Sequence, residues 1–384
     1  MKFLAVWTIW LRLDIEIWIS REVTMGYRNF GGFDILDSIK IWVRVIDIDK
    51  NVVFVNKRMI EELHEFDAND EMVRKLMDNI VDDVFEIDRA FSDEKNNKVY
   101  LNLDENIFCV ENEILKIENS SEIFVVETLR DVTNERKYRH EIDNKNKRFL
   151  EDINFAKNMQ NRMLPDKGMY NGLFINYIYH PSESLGGDVF DVYKIDSKNT
   201  GIYIADVAGH GVTASFLTMF VRQSIRTISK NKSNLNRIMG ELLRAFLTLN
   251  LDTDKYFSIF FGIYNHETKL FKYVNAGQNT IPILKRKDEI IELKATGYPM
   301  CNFFSDVNYE TYEIKLETED RLIFYTDGIV EARNKCEEVF GDDKLIEIIK
   351  ESDDLINTMS DKMSKFCGEQ SNDDYSMLEI TVIE

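Results

Sequence analysis

Gly201-Ile202-Tyr203-Ile204-Ala205-Asp206-Val207-Ala208-Gly209-His210-Gly211 runs from an apolar, β-branched stretch through an aspartate into a glycine-rich turn, and a helical pattern from Val212 to Ile228 follows directly. Such a passage reads as a buried strand, a tight loop and a helix, with Asp206 at the strand end. Three further stretches share the design: Gly186-Gly187-Asp188, Tyr325-Thr326-Asp327-Gly328 and Asn372-Asp373-Asp374-Tyr375-Ser376. Each aspartate adjoins a strand-like run, so all of them can converge at one edge of a packed core. Carboxylates gathered there repel one another and raise each other's pKa unless a cation neutralises them. A pair of hard divalent metal ions is the expected answer.

Composition narrows the partners. With 384 residues, 44% of them hydrophobic, the chain can bury more than one core, and two domains with a connector are expected. The formal net charge of -20 argues against a nucleic-acid backbone as partner, because phosphate binding needs clustered Lys and Arg. Cys109, Cys301, Cys336 and Cys367 lie far apart, without a C-x-x-C pair, so neither zinc nor a disulfide framework is suggested and reduced thiols in a cytoplasmic protein are expected. The opening residues are rich in Trp7, Trp10 and Trp18, yet Arg12, Asp14 and Glu16 interrupt them before they reach the ~20 apolar residues a spanning helix needs, so no membrane span is expected.

All four prolines (Pro165, Pro181, Pro282, Pro299) follow residue 164, and the longest helical pattern ends at the first of them, which marks a boundary. Ahead of it, Trp42 to Ile48 and Val52 to Asn56 alternate as two strands around an Asp49-Lys50-Asn51 turn. Helices are expected at Arg58 to His64 and Asp70 to Phe85, then strands at Ile107 to Val110, Glu113 to Ile117 and Ile123 to Leu129. This order, closing on Asp131-Val132-Thr133-Asn134-Glu135-Arg136, resembles a PAS sensory domain over residues 33–135. Cys109 and His64 read as packing residues rather than cofactor ligands. Residues 1–32 form an N-terminal extension and 136–164 a helical connector. In the connector, Ile142, Phe149, Ala156 and Met163 recur every seven residues beside Asn146, Ile153 and Gln160, an a/d register that predicts a parallel two-stranded coiled coil and hence a homodimer. A helix lying on its own domain gives a similar stripe.

Beyond Pro165, strands are expected at 174–179, 189–195, 201–205, 256–264, 270–275, 281–285, 290–293, 309–316, 321–325 and 376–383, with helices at 212–228, 235–250, 343–350 and 355–367. Strands arriving in hairpins, with helices inserted between them, predict an α+β fold in which two sheets pack face to face between outer helices, an α-β-β-α sandwich over 165–384. Six ordered strings carry a resemblance here: Ala156-x-x-x-Gln160-x-x-x-Leu164-Pro165, Leu185-Gly186-Gly187-Asp188-x-x-Asp191, Ala205-Asp206-Val207-Ala208-Gly209-His210-Gly211, Asn275-Ala276-Gly277-Gln278-Asn279, Tyr325-Thr326-Asp327-Gly328-x-x-Glu331-Ala332-Arg333-Asn334 and Asp373-Asp374-Tyr375-Ser376. They resemble the PPM-type metal-dependent serine/threonine phosphatases, in the bacterial stage II sporulation and sigma-factor-regulating branch.

The resemblance implies two Mn²⁺ or Mg²⁺ ions, bridged by Asp206, with the Val207 carbonyl, Asp188, Asp327 and Asp373 completing the ligands and Asp206 and Asp188 serving catalysis. Hard cations of this kind prefer oxygen donors and retain waters. It also implies a phosphorylated anti-sigma-factor antagonist of the STAS type as substrate. Asp191, Asp374, Glu331 and Arg333 read as supporting or turn residues, and His210 as a loop residue. The sequence departs from the usual strings at Ala205 and Ala208, at Gln278 where His is frequent, and at Met300-Cys301. Three rivals remain. A diguanylate cyclase fails because Val189-Phe190 follows Gly186-Gly187-Asp188 without the acidic residue, and a PAS-linked sensor kinase phosphorylated at His140 lacks ATP-lid strings. An inactive phosphatase-like scaffold is opposed by the four aspartates.

Overall fold

The computed structural model describes residues 33–63, 66, 97–103, 105–116, 123–368 and 373–383. The chain divides into two compact units, Met1–Asn146 and Lys147–Glu384. The extension 1–32, the helix expected over 70–85, His64 and Asn372 lie outside the described residues.

In the first unit, β1 (Trp42–Asp47) and β2 (Val52–Val55) form the expected hairpin, followed by α1 (Lys57–Leu63), β3 (Asn97–Leu103), β4 (Asn106–Lys116) and β5 (Ile123–Asp131). The turn is shaped by Lys50 at φ 66° and by the Asp47 carboxylate, which accepts from the Asn51 N–H at 2.7 Å. The strands make one antiparallel sheet in the order β2-β1-β5-β4-β3. Two expectations are corrected: the runs begun at Ile107 and at Glu113 join in the one strand Asn106–Lys116, Ile117 lying outside the described residues, and β3 is a strand where no pattern was read. Trp42, Phe108 and Leu129 from one sheet face pack with Met59 and Leu63 of α1. Thr133 donates its N–H (2.8 Å) and hydroxyl (2.5 Å) to Asp131 Oδ1, while its Oγ1 accepts from the Ile107 N–H (2.7 Å). The Asp-Val-Thr string thus fastens the start of helix α2 (Thr133–Asn161) to β4.

The division between the units falls inside α2, at Asn146. Its heptad stripe splits likewise. Ile142 and Phe149 are exposed, at 56% and 62%, whereas Ile153 and Ala156 are partly buried and Gln160 is buried. Gln160, expected in a seam facing a second copy, instead packs into its own unit. An apolar stripe cannot distinguish those two destinations.

The second unit is built on two antiparallel sheets. One is ordered β14 (Tyr312–Lys315), β11 (Leu270–Ala276), β10 (Phe257–Asn265), β9 (Asn199–Val207), β8 (Asp188–Lys194). The other runs β13 (Glu289–Glu292), β12 (Ile283–Arg286), β15 (Arg321–Tyr325), β16 (Tyr375–Val382), β7 (Leu173–His180), β6 (Gly168–Tyr170). Phe190, Ile202, Ile204, Phe260 and Phe271 from the first sheet and Ile175, Phe324, Leu378 and Ile380 from the second form the core between them. The outer face of the first sheet carries α3 (Gly211–Ser229) and α4 (Leu235–Leu247) through Leu217, Val221, Met239 and Phe246. The outer face of the second carries α6 (Asp342–Glu351) and α7 (Leu355–Cys367), which follow the one-turn α5 (Asp327–Val330). Side chains alternate between the core and the helical layers along each strand, which makes the α-β-β-α sandwich. Among the described residues no helix is long and apolar enough to cross a membrane.

Candidate active site

Asp188 opens β8 and Asp206 is the penultimate residue of β9, and the antiparallel register sets the two directly opposite each other. Asp327 begins α5 immediately after β15 and Thr326, and Asp373 stands just ahead of β16, so the adjacent strands β15 and β16 of the other sheet deliver the remaining pair. The four aspartates singled out in the sequence interact electrostatically as one group. They differ in exposure: Asp188 is buried, Asp206 and Asp327 are partly buried, and Asp373 is exposed.

Close backbone packing makes room for the group. A Cβ on Gly187 would stand 2.8 Å from the carbonyl oxygens of both Val207 and Gly209, closer than side chains approach, so only glycine fits there. The Val207 N–H donates to the Gly187 carbonyl at 3.1 Å, tying the loop before Asp188 to the strand bearing Asp206. Gly209 takes φ +95°, a left-handed turn that redirects the chain into α3.

Burial raises the Asp188 carboxyl well above the usual carboxylate range, and the neighbouring Asp206 raises it further, while the Thr326 hydroxyl opposes this by donating to Asp188 Oδ2 at 2.8 Å. Asp206 is pushed up to about 7, first by burial and then by Asp327, Asp373 and Asp374. Burial also raises Asp327, with Glu331 adding to it, and Asp373, with Asp327 adding to it. Among the described residues, Asp188, Asp206 and Asp327 have no Lys, Arg or His partner at ion-pair distance. Like charges directly opposite in a sheet are destabilising, so this donor set calls for a cation from outside the chain. No three His, Cys, Asp or Glu side chains among the described residues close a coordination shell by themselves. Hard divalent ions that keep several waters suit such an open arrangement of carboxylates and a backbone carbonyl.

The supporting residues separate into distinct roles. Asp191, three residues beyond Asp188 in β8, is fully buried and accepts two hydrogen bonds from Arg226 of α3, at 2.6 and 2.9 Å, with Arg222 3.4 Å away. It pins helix to sheet rather than shaping a turn. His210 caps α3, exposed, with Nδ1 2.9 Å from Glu183. Glu331 ends α5, and Arg333 donates to the Glu337 carbonyl at 3.3 Å. The departures from the family strings are absorbed by packing: Gln278 accepts from the Ser258 hydroxyl at 2.6 Å, and Met300 is paired through its backbone with Phe257.

Gln160 and Asp374 carry contacts that the sequence did not disclose. The Gln160 side chain donates to the Gly186 carbonyl at 2.8 Å and accepts from the Gly186 N–H at 3.2 Å, and it also donates to Thr218 of α3 at 3.2 Å. Asp374 accepts from the Ser182 N–H (2.6 Å), the Ser182 hydroxyl (2.8 Å) and the Gly187 N–H (2.5 Å).

Two opposed sheets flanked by helices, with acidic strand ends meeting at one edge, define a PP2C-type phosphatase fold. Among solved structures, the SiaA-PP2C domain of Pseudomonas aeruginosa superposes with a TM-score of 0.54 at 19% identity, covering 62% of this chain and 98% of that domain. Residues 196–383 match the family model of stage II sporulation protein E (SpoIIE). The chain is 24% identical over 233 residues to the phosphoserine phosphatase RsbU of Bacillus subtilis (strain 168), covering 59% of this chain and 69% of RsbU. It is 28% identical over 195 residues to the phosphoserine phosphatase RsbP of the same organism, covering 48% of this chain and 46% of RsbP, so it spans less than half the length of that relative. The second unit thus carries a SpoIIE-type PP2C phosphatase domain, similar to those of serine/threonine phosphatases.

Proposed function

We propose that the chain hydrolyses phosphoserine on a partner protein with the help of two Mn²⁺ or Mg²⁺ ions, the partner being a phosphorylated anti-sigma-factor antagonist of the STAS type. The observation that carries this reading is the Asp188–Asp206 pair, like charges set opposite each other at a sheet edge with Asp327 and Asp373 beside them. Asp188, Asp206, Asp327, Asp373 and the Val207 carbonyl would hold the ions. When bound, the ions would supply Lewis-acid polarisation of the phosphoryl group and activation of water. The chain's own residues fix the donors. Thr326 orients Asp188, Gly187 keeps the Val207 carbonyl accessible, and the paired strands hold Asp206 in place. The names of RsbU and RsbP, both phosphoserine phosphatases, support the choice of phosphoserine.

Residues 33–135 are read as a PAS-like sensor, with the connector as its output. The first unit's antiparallel sheet and the anchored start of α2 support that division. At the other end of α2, Gln160 grips both backbone polar groups of Gly186, two residues before Asp188. A shift of the helix would therefore alter the placement of Asp188 and with it metal occupancy. The exposed Tyr138, Ile142 and Phe149 support pairing of the connector with a second copy.

The test is release of phosphate from a phosphoserine protein by the full chain with added Mn²⁺ and by its Asp206→Ala variant. The reading requires turnover that depends on Mn²⁺ and disappears in the variant; equal rates for both proteins would sink it. For the coupling, Ile153→Pro should change basal or stimulated turnover, and a variant identical to the parent in both would disprove transmission through the helix.

A further inference from the structure

Asp374 touches the segments that carry three of the four clustered aspartates. Its two carboxylate oxygens accept from Ser182 and from Gly187, which precedes Asp188. Its backbone N–H donates to Asp373 Oδ1 at 2.8 Å. Its carbonyl lies against Gly328, next to Asp327, so closely that a Cβ there would come within 1.9 Å of it. Gly187 in turn accepts from the Val207 N–H, next to Asp206. The residue is buried, with 6% of its surface exposed, and three donors occupy its carboxylate.

We propose that Asp374 is a positioning residue of the phosphatase site: a brace that sets the Ser182–Gly187 loop, and through it Asp188, against the strands bearing the other acids. This rests on the dinuclear reading above. A carboxylate already engaged by two backbone amides and a hydroxyl does its work through those donors, and groups that orient metal ligands typically govern affinity by about 10–100-fold. The same geometry gives the Ser182 hydroxyl a defined part, since it donates to Asp374 at 2.8 Å.

The experiment uses the full chain and four variants, Asp374→Ala, Asp374→Asn, Ser182→Ala and the double variant Ser182→Ala/Asp374→Ala. Mn²⁺ affinity is measured by isothermal titration calorimetry, and exchange of the Ser182 and Gly187 amides by hydrogen–deuterium exchange of the metal-free proteins. The brace predicts that Asp374→Ala weakens Mn²⁺ binding by about 10–100-fold and speeds exchange of both amides by at least about tenfold. Asp374→Asn, which keeps one acceptor oxygen, falls between, and Ser182→Ala has a smaller effect that vanishes in the Asp374→Ala background, because both act through one contact. The proposal is overturned if Asp374→Ala leaves affinity and exchange as in the parent. It is equally overturned if affinity falls while both amides stay protected and the Ser182→Ala effect is fully additive, which would make Asp374 a ligand. If Asp374→Ala does not fold, Asp374→Asn and Ser182→Ala decide by the same two readouts. A parent chain that bound no Mn²⁺ would remove this role together with the reading beneath it, whereas unchanged binding in the variants alone would remove only the role.

Discussion

Two antiparallel strand pairs, one in each unit, set ionisable side chains opposite each other inside the protein. Arg44 of β1 faces Glu127 of β5, both fully buried, and Asp188 of β8 faces Asp206 of β9. The first pair carries its own neutralisation: burial pushes the Glu127 carboxyl up, and the adjacent guanidinium, which donates Nε–H to it, pulls it back. In the second pair burial and the neighbouring carboxylate act in the same direction. One backbone arrangement therefore serves two ends, with a matched pair contributing to structure and a mismatched pair creating demand for a cation. Asp191 sharpens the contrast, because it lies in the same strand as Asp188, is equally enclosed, and meets two arginines.

The comparison can be broken most decisively at Asp206. Asp206→Asn is expected to lower phosphoserine turnover by on the order of 10²–10³-fold, the scale of losing a preorganised electrostatic group. It should nevertheless melt no lower than the parent in chelator, since it relieves repulsion. A chelated variant that melted well below the parent would show that the two carboxylates do not oppose each other.

Next in size is the matched pair. Glu127→Ala leaves a buried guanidinium without its counter-charge and should destabilise the first unit by roughly 3 kcal/mol or more, with Arg44→Met/Glu127→Leu regaining most of the loss. Urea unfolding followed by Trp42 fluorescence measures both, and a double variant no better than the single would contradict the account. Thr326→Val removes the hydroxyl that orients Asp188 and should weaken Mn²⁺ binding by about tenfold, read by calorimetry.

The smallest effect concerns pH. Folding raises the Asp206 carboxyl from its ordinary 3.8 to about 7 in the metal-free chain, so the folded state binds the extra proton between those values. This group's contribution to stability is complete below about pH 4 and is lost as pH rises through about 7. In chelator, the melting temperature should fall by a few degrees from pH 5 to pH 8, and saturating Mn²⁺ should reverse the trend. A chelated chain that grew steadily more stable over that interval would contradict the mutual repulsion.

Much of the second unit was legible because its strands are dense in Val, Ile, Phe and Tyr and each clustered aspartate sits where such a run stops. What stayed hidden arises from packing between distant segments. Arg222 and Arg226 lie more than 30 residues from Asp191, and only the return of α3 over its sheet joins them. Gln160 falls on heptad spacing, which records an apolar neighbour without specifying whose it is. Strand β3, Asn97-Lys98-Val99-Tyr100-Leu101-Asn102-Leu103, has modest apolar content and is held as a strand by its full register with β4. Asn112 falls in the gap between the two expected runs, yet it lies buried opposite Glu127 in the middle of β4.

Strand β9 is paired along its whole length with β10 and from Thr200 to Asp206 with β8. A residue anchored in such a frame keeps its coordinates while the surrounding loops change. Substitutions in those loops can therefore alter what docks beside the cluster without displacing Asp206.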